Sequence, residues 1–226
     1  MKKIFPLCLV LVFCAAAASA RALPSRSDVV THVESCEAVL QEFESDPALA
    51  IPRPVLQSAR ALVIINQFKA GFLFGIKGGY GVVMVKKANG SWSVPALLNA
   101  SELSAGLQIG AKSVETIYVI TDDSTPRLLF RQRFTVGVDA KAVAGPKAAE
   151  VERDLHAKFA PLLVYTKAVG LYAGATVMAS SIERDDDANV VLYNSTHTMP
   201  ELLYSDWVSP PIEVQPLMSY VQRITR

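Results

Sequence analysis

The run AGFLFGIKGGYGVVMVKK, from Ala70 to Lys87, sets glycines beside lysines, the pairing from which phosphate-cradling loops are built. A nucleotide loop needs G-x-x-x-x-G-K-[ST], so that the backbone curls around phosphate while the lysine reaches over it. Here Lys77 lies between Ile76 and Gly78, and the pattern fails. Gly79 and Gly81 start a dinucleotide fingerprint, but Met84 stands at the third glycine position. His32 and Cys36 lie four apart on a predicted helix, a workable pair of metal ligands, but no third ligand accompanies them. His156 and His197 sit in polar surroundings, and neither a G-x-S-x-G elbow nor an H-E-x-x-H motif occurs. A calcium loop starting at Asp185 would put Val190 at the glycine position and Thr196 at the bidentate glutamate. Trp92, Tyr204 and Trp207 are not grouped with basic residues in a nucleic-acid motif. The expectation is a binding protein with no catalytic residues, no cofactor, no metal and no nucleic-acid partner.

Charge is the chemistry that remains. The formal net charge is only +1, but no Asp or Glu occurs between Asp46 and Glu102, an interval that holds Arg53, Arg60, Lys69, Lys77, Lys86 and Lys87. A second basic cluster, Arg127, Arg131, Arg133, Lys141 and Lys147, contains only Asp139. Acids collect at Glu34, Glu37, Glu42 and Glu44 and from Glu183 to Asp187. If the basic segments share a face, that face attracts anions; otherwise they are a solvated surface of mixed charge. The candidate contacts for anionic headgroups are Lys69, Lys77, Lys86, Lys87, Arg131 and Arg133.

The elements that would position these residues follow from periodicity. Ser27 is the expected cap of a helix running to Phe43, with Val29, Val33, Cys36, Leu40 and Phe43 on one face. Pro54 starts a short second helix, and ALVIIN reads as a buried strand. Phe72, Phe74, Ile76, Tyr80, Val82 and Met84 share one strand face, while Gly71, Gly75, Gly79 and Gly81 leave the other nearly bare. A bare face lets another backbone approach or lets the sheet curl, so Gly75 and Gly79 are expected to have no room for a Cβ. Gly78-Gly79 reads as the junction of two strands, and Asn89-Gly90 as a hairpin turn. Strand alternation continues from Leu103 to Thr121, and a helix is expected from Arg127 to Arg133. The run from Leu162 to Ala179 is long enough for two strands or one bent at Gly170 or Gly174. Acids before NVVLYN start another helix, and PPIEVQPLMSYVQRI closes the chain as a last one. The fold class is α+β: a single domain with a curved antiparallel β-sheet or partial barrel and helices at its N- and C-terminal ends.

The N-terminus predicts a compartment. Lys2-Lys3, the apolar run Ile4 to Phe13 and Ala18-Ser19-Ala20 form a bacterial-type signal peptide over residues 1–20. Leu11 to Cys14 has lipobox spacing, but Phe13 stands where a small residue is wanted, which makes a lipoprotein the lesser alternative to a periplasmic or exported protein. Removing the leader leaves Cys36 alone, so the mature chain has no disulfide framework.

In order along the chain, IPRPVLQSARALVII, KAGFLFGIKGGYGVVMVKK, SWSVPALL, GLQIGA, VDAKAVAGP, YTKAVGLYAG and NVVLYN together resemble the SYLF domain family. The resemblance covers residues 50–226, leaving 21–49 as an N-terminal helix region. It implies a non-enzymatic phospholipid-binding domain; eukaryotic members bind phosphoinositides and some bind actin filaments, while bacterial members are mostly exported. It also implies a lipid contact made by an N-terminal helix and a basic surface, here the Ser27–Phe43 helix and the lysines named above. The acidic polar face of that helix departs from the basic helices that favour anionic membranes. The expected partner is therefore an anionic phospholipid or membrane surface, with an envelope protein as the alternative.

Overall fold

A computed structural model describes residues 23–131, 133–135, 142–144 and 161–226, with side chains described outside 69–77, 102–112, 142–144 and 168–180. The signal-peptide and lipobox motifs, His156, Lys141, Lys147 and most of VDAKAVAGP lie outside the described residues.

Strand alternation carries most of the chain. Strand β1 spans Ala61–Val85, β2 Ala96–Ile120 and β5 Leu162–Arg184. β2 is the middle strand, antiparallel to β1 from Ala61↔Ile120 to Val83↔Ala96 and to β5 from Leu98↔Arg184 to Ile120↔Leu162. Two short strands share the outer edge of β5: β3, Arg133–Thr135, is antiparallel beside Glu183–Ser181, and β4, Ala142–Ala144, is parallel beside Leu162–Val164.

The sequence run opened by Ala70 is not two strands joined at Gly78-Gly79. Both glycines lie inside β1, paired with Ser101 and Ala100 of β2. The chain reverses without a turn because β1 curls. A straight strand of 25 residues would be about 80 Å long, yet the Lys86 amide donates to the Arg60 carbonyl across 2.8 Å. A Cβ on Gly79 would fall 2.2 Å from the Asn66 carbonyl, and one on Gly81 would fall 2.4 Å from the Ile64 carbonyl. The partners descend from 66 through 64 to 60 as the others climb from 79 through 81 to 86, so the two halves of β1 lie alongside each other in opposite directions. A register shift between Phe72 and Phe74 falls within the curl, where an irregularity bends a strand. The expectation of no room for a Cβ holds at Gly79; the neighbour is the strand's own first half. At Gly75 the surroundings lie outside the described residues.

Burial on both faces of the curled sheet explains the apolar content. Leu62, Ile64, Val82 and Met84 point to one core, and Val63, Ile65, Val83 and Val85 to the other. Helix α1, Arg26–Ser45, covers the first with Val29, Val33, Cys36, Val39, Leu40 and Phe43. Its cap is Ser25, whose hydroxyl accepts from the Asp28 amide at 3.1 Å, two residues before the expected cap. Helices α2, Arg53–Ser58, α3, Asp186–Tyr193, and α5, Gln215–Ile224, complete this layer. The second core is closed by a 3₁₀ turn, Thr125–Phe130, and by helix α4, Met199–Tyr204. The expected helix from Arg127 to Arg133 is this 3₁₀ turn followed by β3.

Candidate functional site

Where the two ends of β1 meet, the chain leaves the sheet as a tight turn. The Gly90 amide donates to the Lys87 carbonyl at 2.9 Å, Gly90 takes φ +82°, and Trp92 returns opposite Lys86. Asn89 Oδ1 accepts from the Ser91 amide at 2.9 Å, so Asn-Gly forms the hairpin read from the sequence. Opposite this turn, Asp122 Oδ2 accepts from the Ser124 and Thr125 amides, each at 2.9 Å, and starts the 3₁₀ turn that carries Arg127. Burial works to raise the Asp122 pKa, but the bonds from Ser124 and Thr125 outweigh it and hold that carboxyl below its ordinary value.

Between these turns lies a pocket of about 630 Å³, lined by Arg60, Lys86, Lys87, Asp123, Arg127, Tyr204 and Asp206 among others. Four cations face two carboxylates, an excess of two positive charges. Both carboxylates are engaged at the rim. Lys87 Nζ donates to the Ser205 carbonyl at 2.7 Å and to Asp206 at 2.8 Å. Arg60 reaches Asp123 only at 3.7 Å, with both side chains more than half exposed, a weak pair in water. Among the described residues neither Lys86 nor Arg127 has a carboxylate within ion-pair distance. Arg127 instead bonds the Tyr204 hydroxyl, whose pKa is raised mainly by burial, with Arg127 opposing. The arrangement fits an anionic group that would exchange the rim carboxylates for its own oxygens.

The sequence candidates separate. Lys86 and Lys87 both line the pocket, Lys86 in the bridge to Trp92 just past β1 and Lys87 at the start of the turn. Arg131 is exposed just beyond the 3₁₀ turn, and Arg133 pairs with Glu183 at 2.6 Å on the edge of β5. Lys69 and Lys77 stand in the curl of β1, in register with Lys112 and Glu102, and their side chains lie outside the described residues. Arg60 and Arg127 belong to the two basic intervals of the sequence: pairing of β1 with β2, where the Arg60 amide donates to the Ile120 carbonyl at 2.7 Å, sets Arg60 beside the turn that carries Arg127, and the closure of β1 adds Lys86 and Lys87. Tyr204 sits at the end of α4, an element announced by the Thr198–Glu201 capping box and otherwise unmarked.

The other reactive groups are occupied by packing. His32 stacks on Tyr80, with ring centroids 3.8 Å apart and planes 8° from parallel. Burial holds the His32 pKa below its ordinary value, against the pull of Asp185 and Asp28. Cys36 is fully buried; its Sγ donates to the Ile64 carbonyl at 3.7 Å, and burial pushes its pKa up to about 12. The DDDAN acids serve a helix end: Asp185 caps α3 by accepting from the Ala188 amide at 3.1 Å, and Asp186 pairs with Arg184 at 3.2 Å. The apolar face of α1 is consumed by the core, each of its six buried residues being at most 3% exposed. Among the described residues no helix is long and apolar enough to cross a membrane.

Comparison with known proteins supplies a lineage. The Ysc84 family model, described as Las17-binding protein actin regulator, matches residues 101–224. LAS seventeen-binding protein 3 of Saccharomyces cerevisiae is similar at 30% identity over 186 residues, covering 80% of this chain and 40% of the yeast protein. SH3 domain-containing YSC84-like protein 1 of Mus musculus is 24% identical over 209 residues, covering 89% of this chain and 61% of the mouse protein. The chain thus spans between 40% and 61% of the length of these curated relatives. With more than half its length matched by that model, and with its ordered SYLF motifs, the chain belongs to the Ysc84 (SYLF-domain) family.

Proposed function

We propose that the chain is a non-enzymatic phospholipid-binding protein that holds anionic headgroups on its basic surface and acts in a bacterial cell envelope. The observation that carries this reading is the pocket at the closure of β1, with Arg60, Lys86, Lys87 and Arg127 set against only Asp123 and Asp206. A basic residue near an anionic membrane surface contributes about 1 kcal/mol. Four such residues acting together give binding in roughly the millimolar range, and about eight are needed for the micromolar. Lys69, Lys77, Arg131 and Arg133 extend the same basic character along the chain. The leader-like residues 1–20 support export as a periplasmic protein, the lipoprotein form being the lesser alternative. Non-catalytic action is supported by the engagement of His32 and Cys36 in packing.

A second reading, an envelope structural or stress protein that works through a protein partner, draws on relatives named for binding a protein. Salt separates the two, because exposed charges are screened over about 10 Å at 0.1 M while apolar contacts are not. The deciding experiment is co-sedimentation of the purified protein with neutral and with anionic vesicles across a salt series. Binding to anionic vesicles alone, falling steeply with salt and lost in Lys86→Glu/Arg127→Glu at an unchanged melting temperature, is the expected result. Equal binding to both vesicles, or none, overturns it.

A further inference from the structure

The two tryptophans of the chain have opposite fates. Trp92 is buried, and its indole N–H donates to Thr225 Oγ1 at 2.8 Å. Trp207 is 61% exposed. Its exposure is imposed by its neighbours. On one side, Ser205 and Asp206 are bound by Lys87 Nζ; on the other, Val208 is buried in the second core. Backbone pinned on both sides holds the indole out in water, braced edge-on by His197 at 5.0 Å between ring centroids.

The residue before Trp207 lines the basic pocket, and Tyr204, which is 39% exposed, lines it as well. An aromatic ring in the lining of a pocket with excess positive charge, and an exposed indole one residue beyond that lining in the chain, match a surface that is anionic outside and apolar just beneath. An indole suits such a boundary, since its ring prefers the apolar side and its N–H the wet one. We infer that the protein docks on a lipid bilayer through the segment from Tyr204 to Val208, with Trp207 entering the headgroup layer beside the pocket that holds the anionic headgroup. The docking rests on the lipid-binding reading above and adds to it an orientation: the hairpin turn at Lys87–Gly90 and the Tyr204–Val208 segment face the membrane, while α1 stays in the core.

The test reads Trp207 directly, because Trp92 is already shielded. The purified protein is titrated with vesicles of phosphatidylcholine alone, with vesicles containing phosphatidylglycerol, and with soluble glycerol 3-phosphate, while tryptophan emission, acrylamide quenching and co-sedimentation are followed. The expected result is a blue shift and loss of quenching with phosphatidylglycerol vesicles only. Trp207→Phe removes the shift and keeps binding; Trp207→Ala weakens vesicle binding roughly tenfold, with Trp92 emission unchanged as the sign of an intact fold. Co-sedimentation without any spectral change overturns the docking and leaves lipid binding standing, with the contact elsewhere. Failure to co-sediment with phosphatidylglycerol vesicles overturns both. A full shift with glycerol 3-phosphate alone also overturns the docking, since it would make the ligand a soluble phosphate.

Discussion

Helix α1 and the pocket at the closure of β1 both carry charge, and they dispose of it differently. On α1 the apolar face is buried, and the polar face is largely matched. Glu42 pairs with Lys167, Glu37 accepts from Gln41 at 2.8 Å, and Glu44 from the Ile51 amide at 3.3 Å. Arg26 bonds Glu213 and the carbonyls of Val191 and Leu192, the shortest at 2.8 Å, clamping the start of α1 to α3 and the 3₁₀ turn Ile212–Val214. In the pocket, two cations have no carboxylate within ion-pair distance among the described residues, and the indole one residue beyond the lining is exposed. Groups that stabilise a fold find their partners within it; a ligand needs groups that folding leaves unmatched. The amphipathic helix is therefore the weaker candidate for membrane contact, although it is the stronger pattern in sequence.

The comparison breaks most visibly at Phe43, which is 1% exposed beneath α1. Phe43→Ala is expected to cost about 3–5 kcal/mol, seen as a large drop in the denaturation midpoint, while vesicle affinity below the transition stays that of the parent. Lost affinity at retained stability would make α1 the membrane element after all. A smaller effect is expected at the crossing of β1. Gly79→Val sets a side chain against the Asn66 carbonyl and Gln67 and should cost roughly 1–3 kcal/mol by overpacking; a melting temperature equal to the parent's would mean that the two halves of β1 do not touch.

The smallest effect sharpens the same contrast through pH. The His32 pKa is depressed in the folded protein, so the unfolded chain binds the proton more tightly. The stability tied to neutral His32 is complete above the ordinary histidine value of 6.5 and is lost as pH falls through the folded value. His32 is only partly buried and solvent screens it, so the loss should be small. Comparing thermal melts of the parent and His32→Gln at about pH 7.5 and about pH 5 checks it: the acid-induced drop should be smaller in the variant, and an equal drop in both would assign it to other groups.

What the sequence discloses follows from the range of the forces involved. Alternation around Val82 and Met84 needs only neighbours, so the faces of β1 are legible, as are the Asn89-Gly90 turn and the strand character of the three long segments, though not their continuity as single strands. Gly79 shows that something must come close without showing what, because the partner, Asn66, is brought there by a curl. The same curl explains the misreading of Gly78-Gly79 as a junction: paired glycines are a turn signal, and only continuous pairing with β2 keeps the strand whole. Lys86 and Lys87 are legible as a basic pair. Their grouping with Arg60 and Arg127 is not, because it depends on two long-range backbone contacts, Arg60 with Ile120 and Arg60 with Lys86. Trp207 has no local signature, since its exposure is set by Lys87 from across the pocket.

The placement of β2 in the middle of the sheet also orders events in time. Its pairing with β1 needs only the short connection between Val85 and Ala96, whereas its other edge waits for β5, which ends at Arg184. At ribosomal rates of roughly 5–20 residues per second, that edge stays open for about 3–13 s after Ile120 is made. An unpaired strand of 25 residues is a template for any other chain. Nascent molecules of this protein are thus most exposed to misassembly in the interval between their second and last long strands, when the sheet exists but only half of its middle is occupied.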